Sequence, residues 1–361
     1  MQRSGEKLRE LSEWEPALGV VSVYLAFDPG DRSAAWRTEL RNGLEAVRAE
    51  AEGAEHERRI AVRATVARLL ERFDDDEVRP PPRGEAGFAA VAEKGGEERW
   101  FASGVAPEAA LVRLSSQPLV AGLVDLEQRG APHGIVLISA ERVRLLRFAE
   151  GRLEELEDWE MSYFANDWRE RKSRSSPDPA RVQGVSSSGR DQYEQRLEHD
   201  RARFLAEAGR LAGDRFRDRG IGDALVIGPA SDWAEFAKGI ERTQLRAENA
   251  DRDDLISMPV GELLPHVAVA VERVKAERDG AVVARALGEG DGRPGALGVQ
   301  DTIEALGEGR VEELVFDAAL GEAAEPLVRG ALASDAEITI VRDELAEKLA
   351  RAEGVAAVLR Y

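Results

Sequence analysis

The pattern of apolar and polar positions in residues 1–128 predicts an α/β domain. Val20–Phe27 is a mostly apolar run rich in β-branched residues, which is typical of a buried strand. From residue 33 to about residue 73, apolar residues recur at three- and four-residue steps, which predicts helices. Gly87–Ala92 and Arg99–Ser103 predict a hairpin. We therefore expect a separate, divergent N-terminal α/β domain.

Residues 129–272 alternate between strand and helix patterns around one long loop. Residues 166–190 are rich in Arg, Ser, Pro and Gly without periodicity, which predicts an exposed loop. A helical stripe follows from Asp191 to about Arg217. The other predicted elements are strands at Ile135–Ser139, Arg142–Phe148, Arg152–Trp159 and Leu225–Gly228, and a helix at Trp233–Ile240. This order favours a mixed sheet covered by helices.

Residues 273–361 predict a third domain, a small α/β/α sandwich. Helices and strands alternate between Gly-rich turns. The predicted helices are Val299–Gly307, Pro326–Ala333 and Glu344–Ala352, and the predicted strands are Val311–Phe316, Ile338–Val341 and Val355–Leu359. The fold class is therefore α/β with three domains.

Composition narrows the classes of function. The chain of 361 residues has no cysteine, which excludes disulfides, thiolate nucleophiles and Cys-ligated metals and fits a reducing compartment. It lacks a long apolar run, so we expect a cytoplasmic protein without a membrane partner. The formal net charge of −19 repels nucleic acid, so DNA is not an expected partner and any RNA contact requires a local basic patch. The four histidines are scattered, and neither a metal nor another cofactor is predicted.

The predicted loop and the residues around it supply such a patch. Aromatic residues at its start, among them Trp168, are candidates for stacking on bases. The alternative is a solvated loop with the aromatic side chains packed beneath it. The candidate phosphate-binding cations are Arg169, Arg171, Lys172, Arg174, Arg181 and Arg190.

Several segments together resemble the archaeal/eukaryotic-type peptide release factors, their bacterial relatives and the Pelota-like proteins. The resemblance lies in Gly134–Phe148, Leu225–Pro229, Glu304–Val315 and Gly354–Tyr361, within residues 130–361. It implies an RNase H-like middle domain and a C-terminal domain of the kink-turn-binding ribosomal protein type. It also implies ribosome, rRNA and tRNA as partners, and a GTPase that delivers the protein.

Catalytic members of that family carry Gly-Gly-Gln just before the long helix, and this chain departs from the motif. Its sequence from Ser186 to Gln192 reads Ser-Ser-Ser-Gly-Arg-Asp-Gln, so Gly189 and Gln192 are separated by Arg190 and Asp191. In the family, the glycines enter a narrow RNA cavity, and the glutamine helps water to attack the ester of peptidyl-tRNA.

Three functions remain open from the sequence. The first is a ribosome-binding factor for rescue, quality control or dormancy, whose basic loop contacts rRNA near the peptidyl transferase centre. The second is a peptidyl-tRNA hydrolase that uses Gly189 and Gln192. The third is a protein-interaction adaptor that does not bind the ribosome. A nuclease is disfavoured, because the strand Ile135–Ser139 offers no aspartate for binding Mg²⁺.

Overall fold

The computed structural model describes residues 2–27, 35–74, 83–161, 187–243, 245–250, 255–289 and 295–360. The chain divides into two compact units. Residues 132–276 form one unit, and residues 2–131 form the other together with residues 277–361. The predicted mixed α/β class is confirmed, because both units combine sheets with helices. None of the described helices is long and apolar enough to cross a bilayer.

The unit of residues 132–276 is built on one five-stranded sheet. Its elements are β5 (His133–Ser139), β6 (Arg142–Ala149), β7 (Arg152–Glu160), α5 (Ser187–Asp218), β8 (Asp223–Ile227), α6 (Ala230–Ile240), β9 (Arg246–Ala250) and the first part of α7 (Val260–Ala286). The strand order is β7-β6-β5-β8-β9. The strands β5, β6 and β7 are antiparallel neighbours, whereas β8 and β9 run parallel to β5.

Helices cover both faces of this sheet. On β5, Val136 and Ile138 pack with α5 and α6, whereas Ile135 and Leu137 pack with α7. Successive strand residues point to opposite faces, so a strand covered on both sides is apolar throughout. That is why the β5 sequence lacks the alternation of a half-exposed strand.

Glycines allow α5 and α6 to approach at backbone distance. A Cβ atom added to Gly239 would lie 2.0 Å from the carbonyl oxygen of Ala206, and one added to Gly209 would lie 2.2 Å from that of Phe236. No side chain fits at either position. The close packing at these two glycines holds α5 against α6.

The second unit contains two four-stranded sheets. In residues 2–131 its elements are α1 (Gln2–Ser12), β1 (Val20–Ala26), α2 (Ala35–Glu50), α3 (His56–Asp74), β2 (Gly84–Ala90), β3 (Glu98–Ser103), β4 (Leu111–Ser115) and α4 (Ala121–Gly130). In residues 277–361 they are the end of α7, then β10 (Ala296–Leu297), α8 (Val299–Gly307), β11 (Val311–Asp317), α9 (Glu325–Ser334), β12 (Glu337–Val341), α10 (Asp343–Leu349) and β13 (Val355–Leu359). The strand orders are β3-β2-β1-β4 and β10-β13-β11-β12. The three sheets fall in the three predicted domains, and the domain boundaries themselves remain a prediction.

Residues 2–131 and 277–361 share one core. Leu11 and Tyr24 from the first segment belong to the same buried apolar cluster as Leu314 and Leu327 from the second. Burial of apolar surface is the main favourable term in folding, so the two segments stabilise each other.

Buried polar groups join the same two segments. The carboxylate of Glu325, 8% exposed, accepts hydrogen bonds from the backbone N–H groups of Val120 at 2.9 Å and Ala121 at 2.8 Å. These groups lie at the start of α4, where N–H groups have no partner within the helix. Glu325 therefore caps a helix that lies more than 200 residues away in sequence.

Most predicted elements are present, with two kinds of exception. Helix α8 and strand β13 have the predicted bounds. Helix α5 begins at Ser187 instead of Asp191, so the prediction that the loop extends to residue 190 was wrong at that end. Serine is favoured at helix starts and arginine has high helix propensity, which suits residues 187–190 to the first turn. Five further elements, α1, β4, α4, β9 and β10, had not been predicted.

Candidate nucleic-acid interface

The predicted site residues lie partly within and partly outside the described residues. The loop cations Arg169, Arg171, Lys172, Arg174 and Arg181 lie outside them. Gly189, Arg190 and Gln192 lie in the first two turns of α5, where the backbone is described. The cations from Arg169 to Arg181, called the basic stretch below, therefore precede a helix N-terminus in the sequence. A helix N-terminus carries a partial positive charge.

The helical position of Gly189 bears on the predicted chemistry. A catalytic glycine in a release-factor loop is useful because it adopts backbone angles that other residues avoid. In α5, Gly189 is helical, and any residue can adopt that conformation. In this helical conformation, Gly189 does not adopt the unusual backbone angles for which a glycine is needed in the loop of catalytic release factors.

The end of β7, after which the basic stretch begins, is tied to the turn between β5 and β6. The N–H of Met161, just after β7, donates to the carbonyl of Glu141 at 2.8 Å. The Glu141 carboxylate in turn accepts a hydrogen bond from Arg201 of α5 at 2.7 Å. Residue 141 thus links the end of β7 with α5. Asp232 of α6 is close enough for Arg201 to oppose the rise in its pKa that burial causes.

The outward face of α5 carries cations that the sequence analysis had not singled out. Arg196 and Arg203 are exposed, and the helical spacing places them opposite the buried stripe that includes Phe204 and Ala208. Neither arginine has an ion-pair partner among the described residues. The seven-residue spacing of these two arginines, offset from the apolar stripe, is the sequence signal that could have revealed them.

Further along α5, arginines are neutralised by neighbouring acids. Arg210 pairs with Glu207 at 2.8 Å and with Asp214 at 2.9 Å. Arg217 pairs with Asp214 at 3.2 Å. Arg196 and Arg203 therefore lie nearer to the basic stretch than these paired arginines do.

The described residues offer no group of three or more His, Asp or Glu side chains that could hold a metal ion. Glu141, the carboxylate nearest to the end of β5, is engaged by Arg201. Two-metal nuclease chemistry requires several carboxylates brought together, and this part of the chain does not provide them.

Comparison with known proteins gives a family for this region. Residues 118–278 match the model of bacterial archaeo-eukaryotic release factor family 10. No curated protein matches the chain.

Several solved structures match with low identity. The archaeal translation termination factor aRF1 is 19% identical over 100% of this chain and 98% of its own, with a TM-score of 0.27. Pelota from Archaeoglobus fulgidus is 15% identical over 77% of this chain and 79% of its own, with a TM-score of 0.30. Dom34 from S. cerevisiae is 11% identical over 77% of this chain and 79% of its own, with a TM-score of 0.41.

The family match covers the whole five-stranded sheet, helices α5 and α6 and much of α7, together with the stretch that contains the basic loop. It confirms the resemblance that the sequence pattern indicated. Residues 118–278 of this chain are therefore similar to the bacterial archaeo-eukaryotic release factor family.

Proposed function

We propose that this protein is a release-factor-like translation factor that occupies the ribosome in rescue, quality control or dormancy. The observation that carries the proposal is a concentration of cations in one segment of an acidic chain. They comprise the candidate residues between Arg169 and Arg190, followed by Arg196 and Arg203 on the outward face of α5.

The charge distribution supports contact with rRNA. A net charge of −19 makes most of the surface repel phosphate, so RNA is attracted in only one orientation. In that orientation the basic stretch and the start of α5 face the RNA near the peptidyl transferase centre. Bound arginines release counterions from the phosphates, so affinity should fall steeply with salt.

Two finer assignments of fold belong to the same proposal. An RNase H-like middle domain is supported by the order β7-β6-β5-β8-β9, with three antiparallel strands followed by two parallel ones. A C-terminal domain of the kink-turn-binding ribosomal protein type is supported by a mixed four-stranded sheet with helices on both faces. We also include tRNA and a delivering GTPase among the partners, and a cytoplasmic location with the ribosome.

The first experiment is sedimentation of the full chain with 70S ribosomes through sucrose gradients over a range of salt. We expect binding at low salt that weakens as salt rises. Arg196→Ala/Arg203→Ala and Arg171→Ala/Lys172→Ala/Arg174→Ala should each weaken binding and lower the steepness of the salt dependence, by about 0.7 per lost phosphate contact. Arg210→Ala/Arg217→Ala is the matched control, because those arginines are already paired. Absence of binding at low salt would refute the proposal and favour an adaptor.

The second candidate function is hydrolysis of peptidyl-tRNA, favoured by the position of Gly189 and Gln192 directly after the basic stretch. Peptide release is measured in the same gradient fractions. Our proposal expects binding without release. Release that Gln192→Ala abolishes while binding persists would instead establish the hydrolase.

A further inference from the structure

Helices α8 and α9 leave an open groove between them, on one face of the sheet β10-β13-β11-β12. The groove has a cavity volume of about 590 Å³. Ile303 and Leu306 of α8 line one side, and Pro326, Gly330 and Ala333 of α9 line the other. Most of the lining is therefore apolar, as is usual for a binding groove.

The groove exists because α9 presents only small side chains towards α8. Residues 326, 330 and 333 recur at four- and three-residue steps, so they share one face of the helix. A Cβ atom added to Gly330 would lie 3.1 Å from Cδ1 of Leu306, so the two helices are in close contact there. Leu306 is buried, whereas Pro326 and Ala333 are exposed and leave the groove open to solvent.

Ile303 contributes an exposed aliphatic side chain to the groove. Its exposed fraction is 38%, and the large hydrophobic residues that are exposed in the described part of the chain are Val269, Leu297 and Ile303. Of these three, Ile303 is the one that lines the groove. An apolar partner that covers Ile303 would remove apolar surface from water, which favours binding.

The exposed side of α8 next to Ile303 is acidic. Asp301, Glu304 and Glu308 recur at three- and four-residue steps, and α8 contains no basic residue. Asp301 and Glu304 are exposed and form no ion pair with any residue that the structure describes. Two negative charges of this wall are therefore available to a partner.

The cations around the groove are already engaged. Arg310 pairs with Glu308 at 2.5 Å. Arg360 donates to the carbonyl of Ser334 at 2.9 Å, at the end of α9, where a helix carries a partial negative charge. Arg329 of α9 donates to two backbone carbonyls of the N-terminal segment. The groove therefore favours a basic partner and disfavours RNA and anionic lipid, because like charges repel.

We propose that the groove between α8 and α9 is a docking site for a basic amphipathic helix of a partner protein. Aliphatic side chains of that helix would cover Ile303 and Ala333, and its Lys or Arg side chains would lie beside Asp301 and Glu304. The nine residues of α8 are about 13 Å long, so the groove accommodates about two turns of such a helix. The site is separate from the basic stretch and does not depend on ribosome binding.

The test measures fluorescence anisotropy of a labelled helical peptide with leucine on one face and lysine on the other, titrated with the full chain. We expect saturable binding. Ile303→Ser should weaken it about fivefold through lost apolar contact. Asp301→Asn/Glu304→Gln should weaken it about threefold at low salt, with a smaller effect at high salt.

The chain offers a matched control for each variant. Leu297→Ser removes an aliphatic side chain that is 44% exposed but does not line the groove. Glu344→Gln/Glu347→Gln removes two exposed charges from α10, which packs on the opposite face of the same sheet. Both controls should bind the peptide as the wild type does. Equal weakening in a groove variant and its control would overturn the proposal.

Further measurements separate a blocked groove from a damaged fold. Ala333→Arg places a long cationic side chain at an exposed position in the groove and should abolish binding, while circular dichroism and thermal melting remain those of the wild type. Retained binding in this variant would overturn the proposal, as would equal binding of a scrambled peptide without an apolar face. A light-scattering mass of twice the chain that Ile303→Ser returns to the monomer would identify a second copy as the occupant instead.

Discussion

Each of the two compact units is stabilised internally by a different kind of contact. In residues 132–276, α5 and α6 cross at glycines that leave no room for a side chain. In the other unit, the segments 2–131 and 277–361 are joined by buried polar groups around Glu325 in addition to apolar burial. Adding atoms to a closely packed contact lowers stability through steric overlap. A hydrogen-bonded contact loses stability when one partner is removed and the other is left buried without a bond.

Adding atoms at the glycine crossing should have the largest effect. Gly239→Val would place its Cβ 2.0 Å from the carbonyl oxygen of Ala206 and 2.6 Å from the backbone nitrogen of Arg210, so helix backbone must move. We expect the free energy of unfolding of this unit to fall by about 3 kcal/mol or more. Thermal unfolding measured by calorimetry checks the change. Gly261→Ala is the control, since nothing lies within 4 Å of that Cβ position; an equal loss in both variants would contradict the role of the crossing.

Removing the cap of α4 tests the second unit. Glu325→Ala leaves the N–H groups of Val120 and Ala121 buried without their acceptors. We expect a loss of about 2 kcal/mol, because unsatisfied buried donors are costly and the removed carboxylate was itself costly to bury. Hydrogen exchange should accelerate across α4 while residues 132–276 keep wild-type protection. Acceleration spread equally over both units would show that the effect is not local.

The buried contacts of Arg144 test whether the unit of residues 132–276 also depends on buried hydrogen bonds. Arg144, 4% exposed, donates to Glu155 at 2.7 Å and to the carbonyls of Ile256 and Met258 at 2.9 and 2.7 Å. Arg144→Met keeps the apolar stem and should cost about 1 to 2 kcal/mol, with faster exchange in the turn after residue 255.

Arg142→Met is the matched control for Arg144→Met. Arg142 lies two residues earlier on β6 and pairs with Asp158 near the surface, so its loss should cost under about 1 kcal/mol. Equal losses in unfolding free energy, measured by denaturant titration, would mean that burial does not distinguish the two arginines.

In both units, an element could be predicted from the sequence where its signal is local. Helix α8 and strand β13 were predicted with their bounds because apolar periodicity and flanking glycines are local signals. Strand β9 was missed because its sequence Arg-Ala-Glu-Asn-Ala is that of a polar edge strand. The Glu325 cap joins residues more than 200 positions apart, and no local pattern encodes such a pairing. At the candidate interface, composition indicated the basic stretch, and the spacing of Arg196 and Arg203 against the apolar stripe of α5 is a local signal that the sequence also carries.

The last prediction concerns how the stability of the second unit depends on pH through Glu325. Burial raises the pKa of the Glu325 carboxyl above its ordinary value of 4.5, and the N–H groups of Ala121 and Val120 oppose the rise. A raised pKa in the folded state means that folding disfavours the ionised carboxyl. The favourable contribution of the protonated group is therefore full below pH 4.5 and is lost as pH rises through the folded-state pKa. The stability of the wild type relative to Glu325→Gln should accordingly decline above pH 4.5, by at most about 1.4 kcal/mol per pH unit. Denaturant titrations of both proteins between pH 4 and pH 8 measure this difference, and the subtraction removes carboxyls common to both. A difference that grows more favourable with rising pH would show that the two backbone donors outweigh burial, and that the cap of α4 is strongest when Glu325 is charged.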